Sequence, residues 1–230
     1  MIPALLSHCV SQYSVVLPIP PDRVDSQVKL PETLARAVPK RQEEFIGGRF
    51  CALQALRQAG WGASELYKIG VGTDGAPLWP QGWIGSITHS QGLASAAVGR
   101  ISEVRGIGID SESVMSAGSA SEVRGRILTV GELQLYNERW HAEWSEAEFV
   151  TLIFSAKETI YKCLRPLESA FFDFQAAQLL ELDSKSGFFK FDLKKDIGLG
   201  FSAGWSGQGR FALSEGWIHT AMELKSQPKR

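Results

Sequence analysis

Cysteine is scarce in this chain: Cys9, Cys51 and Cys163 are the only three, far apart and without a CxxC spacing. That argues against a disulfide framework and a cysteine-built zinc site, and it suits a reducing, cytoplasmic setting. Positive charge is not in excess, since 24 Lys and Arg stand against 25 Asp and Glu. No global basic field is there to attract nucleic acid, so any anion site must be local. Long apolar runs are missing, and none approaches the roughly 20 residues of a membrane-spanning helix. No Lys or Arg precedes Arg23, and prolines at 3, 18, 20 and 21 interrupt the start, so a secretory signal is not expected.

What remains is ordinary globular material: 230 residues, 44% hydrophobic and 21% charged. That is enough for a substantial core, in one large domain or two small ones sharing an interface. Residues 1–31 read as irregular chain with a short strand at Val15-Val16-Leu17. A helix is predicted from Pro39 to Gly60, carrying Lys40, Arg41 and Arg49. Its Gly47-Gly48 pair marks a close backbone approach, by a ligand or by a packing neighbour. Strands are predicted at 66–71, 83–88, 93–98 and 104–109, then a mobile loop over 111–121. Thr129-x-x-Glu132 and Ser145-x-x-Glu148 match the capping box and open two helices, the second ending at Pro166. Strands at 176–182, 188–193, 210–213 and 217–224 follow, with tight turns at Gly187 and Gly216. The order is helix then strands, a junction near 100–106, then helices then strands, so the fold class is α+β with two halves, 1–105 and 106–230.

Chemistry concentrates in two segments, Gly106-Ile-Gly-Ile-Asp110-Ser-Glu112 and Phe154-Ser-Ala-Lys157-Glu158-Thr-Ile-Tyr-Lys162. On a strand, Asp110 and Glu112 share a face because side chains alternate with period two, and two like charges side by side call for a cation. With Glu158 they form an oxygen donor set suited to Mg2+, while lysines meet phosphate charge that the ion leaves uncovered. That outlines a magnesium-assisted phosphoryl-transfer site. Taken singly, the features have plainer readings: Glu158 and Lys162 as a helix-surface i to i+4 pair, Asp110 and Glu112 as a turn, His89 as a structural histidine. Arg41 and Arg49 would then form a solvated face, and Glu132 would serve only its cap.

Taken in order, Asp74-Gly-Ala-Pro77-Leu-Trp-Pro80, Gly85-Ser-Ile-Thr88-His89-Ser90, Gly108-Ile-Asp110-Ser-Glu112 and the 154–162 segment resemble the long 4'-phosphopantetheinyl transferases, the surfactin- and enterobactin-synthase-activating type. The upstream Lys40-Arg41-Gln-Glu-Glu-Phe45-Ile-Gly-Gly-Arg49 resembles the enterobactin-type branch. The resemblance spans about 39–162 and implies two similar α/β halves with the active site in the cleft between them. It implies transfer of the phosphopantetheine arm of coenzyme A to a serine of an acyl or peptidyl carrier protein, with release of adenosine 3',5'-bisphosphate. Asp110, Glu112 and Glu158 would ligate Mg2+, and Lys157 and Lys162 would face the pyrophosphate. Thr88, His89, Arg41 and Arg49 would hold the 3'-phosphate end. Glu132 would stand one step behind the ligands.

Two positions depart from the family pattern. The Pro77 motif lacks its cation, reading Asp74-Gly-Ala-Pro77, and Phe154 replaces a tryptophan. The resulting expectation is a monomeric cytoplasmic enzyme, serving siderophore or other nonribosomal peptide synthesis by association with the enterobactin branch. Its rivals are a metal-dependent phosphohydrolase and a non-catalytic module that binds carrier protein or coenzyme A. Val114, Met115, Leu133 and Leu135, just after the metal acids, are where exposed apolar docking anchors are expected.

Overall fold

A computed structural model describes residues 2–24, 28–62, 69–72, 75–167, 172–198 and 200–226. In the first half, β1 (Val10–Val16), β5 (Leu93–Arg100) and β4 (Trp83–Ser90) form an antiparallel sheet in the order β1-β5-β4. Helix α1 (Pro39–Gln58) lies across it. A two-stranded ribbon pairs β2 (Gly70–Val71) with β3 (Pro77–Leu78). Of the strand predicted at 66–71, residues 66–68 lie outside the described residues, as does Asp74, and only Gly70–Val71 of the remainder is strand. Gly47 and Gly48 make the expected close approach to packing neighbours, for a Cβ on Gly47 would strike Leu17 and one on Gly48 would lie 2.7 Å from Ile87.

The second half is larger. Strands β6 (Val104–Ser113), β7 (Ala177–Asp183), β8 (Phe188–Leu193), β9 (Ser206–Ser214) and β10 (Trp217–Lys225) form an antiparallel sheet in the order β6-β10-β9-β8-β7. Gly187 and Gly216 turn the β7-β8 and β9-β10 hairpins at φ 65° and 78°, a backbone region in which glycine has no Cβ to clash. Helices α2 (Ala117–Ile127), α3 (Val130–Glu138) and α4 (Glu146–Leu164) cover this half. Both predicted capping boxes form, at Thr129 and Ser145. The mobile loop expected over 111–121 is a correction: β6 runs on to Ser113, and α2 begins at Ala117 with the Ser116 hydroxyl capping the Ser119 amide. Each half is thus a long helix on antiparallel strands, as an α+β reading requires, with three strands in one sheet and five in the other.

Helix α4 is the core of the second half. Phe149, Leu152, Ile153, Ile160 and Leu164 are fully buried, in one cluster with Phe189, Phe191 and Ile218. A second apolar cluster joins the halves, formed by Val10, Ala97, Val104, Ile107, Ile109 and Ala221.

One strand face decides where α4 sits. Positions 106, 108, 110 and 112 of β6 share that face. Gly106 and Gly108 bring the helix backbone against the strand, for a Cβ on Gly106 would lie 2.6 Å from the Cys163 carbonyl oxygen and one on Gly108 would fall on that of Thr159. The next two positions are the acids Asp110 and Glu112. The glycines therefore seat the helix, and the acids meet the polar side of what has been seated. Gly108→Ala is expected to lower stability by at least about 2 kcal/mol, because the obstacle is backbone that cannot rotate away. A thermal melt matching the parent would show that α4 does not depend on this contact.

Candidate active site

Strands β4 and β6 run side by side without a backbone ladder between them. Hydroxyls at alternate residues of β4 make the seam. Ser86 Oγ accepts from the Ile109 amide at 3.1 Å, and Thr88 Oγ1 accepts from the Ser111 amide at 3.3 Å. Thr88 Oγ1 also donates to Asp110 Oδ1 at 3.1 Å, and Ser90 Oγ donates to Glu112 Oε2 at 2.7 Å. The first half thus holds both acids of the second.

Lys162 Nζ donates to Asp110 Oδ1 at 2.7 Å. Asp110 is 3% exposed, and its Oδ2 is buried without a hydrogen-bond partner. A buried carboxylate oxygen left unpartnered is costly unless something else meets it. Glu112 is pushed up to about 7 by burial and by the charge of Asp110, with the Ser90 hydrogen bond opposing. Glu158 is raised by burial, Lys162 opposes, and Asp110 adds to the rise. Burial works against the Lys162 ammonium, and the Asp110 carboxylate beside it outweighs that and raises its pKa. Glu112 and Glu158 therefore both resist being anionic beside the Asp110 carboxylate.

Among the described residues, no three His, Cys, Asp or Glu side chains close into a metal-holding cage as they stand. Mg2+ does not demand one, since it binds through one or two carboxylates plus substrate phosphate and retained water. An all-oxygen donor set, an orphaned buried oxygen and mutually repelling carboxylates fit such an ion.

Beside Lys162 opens a cavity of about 630 Å3, lined by Arg41, Phe45 and Arg49 from α1, His89 from β4, and Tyr161 from α4. Both halves contribute to it. Arg41 Nη1 lies 3.0 Å from His89 Nε2. Arg49 is buried, donates to the Ile69 and Gly70 carbonyls at 3.0 and 3.1 Å, and stacks over Phe45. Burial, then the charge of Arg41, lowers its pKa to about 10. A larger hollow of about 770 Å3 lies elsewhere, against Ile2, Pro3, Ala4, Leu6, Trp217 and His219. Lys162 lines the smaller cavity and not this one, and Asp110 and Glu112 line neither.

The structure thus brings Asp110, Glu112, Glu158 and Lys162 together, and sets Arg41, Arg49 and His89 around the adjoining cavity. Two expectations change. Lys157 does not face this cavity: its side chain is 2% exposed and donates to Glu132 Oε2 at 2.7 Å and the Ile127 carbonyl at 2.8 Å. Thr88 is buried, with its hydroxyl engaged by Asp110 and Ser111 rather than turned to the cavity. Glu132 completes its capping box, accepts from the Leu179 amide at 2.8 Å and pairs with Lys157, so it braces α3, α4 and β7. Phe154 packs against Phe174 at 5.5 Å between ring centroids, an apolar contact in place of the family's tryptophan.

Of the four expected docking anchors, Val114, Met115 and Leu135 are half-buried against the core. Only Leu133 is exposed, at 38%, and neighbouring Val130, at 86%, was missed. Glu44 was missed as well. It lies 3.8 Å from Arg41 Nη1 and 3.6 Å from His89 Nδ1, and its i to i+3 spacing from Arg41 was the available signal.

Comparison with known proteins identifies the family. Residues 30–99 match the model of the 4'-phosphopantetheinyl transferase N-terminal domain, and residues 106–214 match that of the 4'-phosphopantetheinyl transferase superfamily. The chain is 34% identical to the 4'-phosphopantetheinyl transferase Svp of Streptomyces mobaraensis over 97% of its own length and 89% of that protein's. It is 33% identical to the 4'-phosphopantetheinyl transferase Npt of Nocardia iowensis over 82% and 85%. With enterobactin synthase component D of Salmonella typhi it shares 38% identity over 57% and 51%. Motifs in order, fold and relatives spanning most of both chains converge, and the chain belongs to the 4'-phosphopantetheinyl transferase family.

Proposed function

We propose that this enzyme transfers the 4'-phosphopantetheine arm of coenzyme A to a serine of an acyl or peptidyl carrier protein in a Mg2+-dependent reaction, releasing adenosine 3',5'-bisphosphate. The observation that carries the reading is the Asp110–Lys162 pair, with its orphaned carboxylate oxygen, at the side of a cavity lined by Arg41, Arg49 and His89. One end suits a metal and a pyrophosphate, the other a phosphate monoester. Residues 1–105 would supply the nucleotide grip and 106–230 the metal and catalytic side chains. Since one chain supplies both, a monomer suffices.

Asp110, Glu112 and Glu158 would hold Mg2+, which when bound would screen the pyrophosphate and polarise its oxygens. Lys162, kept cationic by Asp110, neutralises phosphate oxygens and the charge that develops on the leaving group. The serine proton would go to Glu158, raised by burial, or to water held by the ion. Arg41, Arg49 and His89 anchor the nucleotide, so the reacting groups meet by positioning. The relatives named enterobactin synthase component D favour a role in siderophore or other nonribosomal peptide synthesis, and the scarcity of cysteine suits the cytoplasm.

Incubation with an apo carrier protein, coenzyme A and Mg2+, followed by mass spectrometry, is expected to show the carrier gaining one phosphopantetheine. Cleavage of coenzyme A without an acceptor would point to a phosphohydrolase, and binding without either reaction to a non-catalytic module. A pH dependence follows from Glu112. Its carboxyl stands near 7, and a proton there competes with the metal. The apparent Mg2+ affinity should fall about tenfold per pH unit below about 7 and level off above it. A Mg2+ titration that is flat between about pH 6 and 8 would remove Glu112 from the ligand set.

A further inference from the structure

A carboxylate beside an anion site repels the anion, and Glu44, which does not line the cavity but touches Arg41 and His89 that do, needs a reason to be there. Its Oε2 stands 3.6 Å from His89 Nδ1, and on the other side of the ring Arg41 Nη1 stands 3.0 Å from Nε2. A guanidinium can only donate. Nε2 must therefore accept, which puts the proton of the neutral ring on Nδ1, toward Glu44. In this state His89 offers an incoming phosphate no N–H at Nε2, because its one proton is on Nδ1, the side nearer the acid.

We infer that Glu44 couples capture of the 3'-phosphate to proton uptake at His89: the ring takes a proton on Nε2 as the phosphate arrives, and Glu44 holds the other end of the imidazolium. This rests on reading the cavity as the coenzyme A 3'-phosphate site. The proton comes from solvent, and no bond other than N–H forms. Two donors cannot face each other, so the same proton turns Arg41 Nη1 off Nε2 and toward the phosphate. One event thus readies both donors.

The charged groups facing His89 are Glu44 and Arg41 on α1 and Lys162 on α4, with Arg49 and Arg165 lining the same cavity. Burial lowers the free ring below its ordinary value, Glu44 and a hydrogen bond to the residue's own backbone oppose that, and Arg41 and Lys162 add to it. A bound phosphate reverses the balance and raises the ring. The affinity contributed by this proton is then complete at low pH, and is lost as pH rises through the bound-state pKa, by about tenfold per unit between the two values.

The test is calorimetry of coenzyme A and dephospho-coenzyme A binding to the whole enzyme with Mg2+, in buffers of different ionisation enthalpy. At about pH 7.5 a phosphate monoester, with its second pKa about 6, is already dianionic. Proton changes at the metal acids are common to both donors and cancel in the difference. Uptake is expected to be greater with coenzyme A, and the excess should disappear in His89→Gln and shrink at least twofold in Glu44→Gln. Nitrogen NMR of the free enzyme should show His89 as the Nδ1–H tautomer. Equal uptake with both donors, an excess that survives in His89→Gln or is unchanged in Glu44→Gln, or an Nε2–H tautomer would each overturn the inference. If the parent enzyme binds both donors equally well, the 3'-phosphate reading itself has failed.

Discussion

Asp110→Ala should leave a folded protein that transfers no phosphopantetheine. Asp110 ends the run of small and apolar residues on β6 and binds Lys162 and Thr88 through one oxygen, leaving the other unpartnered. Removing it withdraws a proposed metal ligand and the charge that keeps Lys162 in place, and single groups at such sites are worth about 10²- to 10³-fold in turnover. Two such losses at one residue place the variant at or below detection. Stability should change less, by about 1–3 kcal/mol, because Thr88 and Lys162 lose an acceptor while the apolar core is untouched. Circular dichroism and thermal melting check the fold, and carrier modification with Mg2+ titrated over a wide range checks the chemistry. Normal turnover at low Mg2+ by a folded variant would end the metal assignment.

The second large effect concerns stability. Lys157→Met is expected to destabilise the protein by about 3–5 kcal/mol, because it leaves Glu132 buried and charged without its cation. For a chain of this length that is a melting-point drop on the order of 10 °C. The double variant Lys157→Met/Glu132→Gln should recover most of the loss, since no isolated charge remains and the glutamine oxygen still accepts from the Leu179 amide. Assayed well below its melting point, Lys157→Met should keep its KM for coenzyme A. A variant that melts like the parent but binds coenzyme A poorly would return Lys157 to the pyrophosphate, as family resemblance alone implies.

The Lys157 result shows what a motif can and cannot convey. Glu158 and Lys162 are four apart and share a helix face, while Lys157 and Lys162 are five apart, about 140° around the axis. A regular helix could not turn both lysines to one site, so the period itself held the correction. Thr88 and His89 pose the same problem on a strand, where adjacent residues point to opposite faces. His89 reaches α1, and Thr88 reaches β6. The Gly106-x-Gly108-x-Asp110-x-Glu112 alternation was legible because four same-face positions need only a period of two. The capping boxes were legible because their bonds are local.

The mistaken loop has a compositional origin. Ser, Ala and Gly over 111–121 suggested irregular chain, but Ala120, Val123 and Ile127 recur at helical spacing and meet the core, and Ser116 supplies the cap. Of the small residues over 116–121 only Ala120 is buried, and the others face solvent. Burial of Val114, Met115 and Leu135 was hidden for a different reason, since nothing local says which side of a helix or loop another element will cover.

The hydroxyl seam between β4 and β6 provides a clock for the cleft. Along β6, the amides of Ile109 and Ser111 turn away from β10 and are held only by the Ser86 and Thr88 side chains of the other half. Amides that point to β10 sit in an antiparallel ladder that survives any parting of the halves. Deuterium should therefore enter at Ile109 and Ser111 whenever the two halves separate, while their immediate neighbours stay dark. Read at those two amides, exchange rates would time the breathing of the catalytic cleft apart from the unfolding of either sheet.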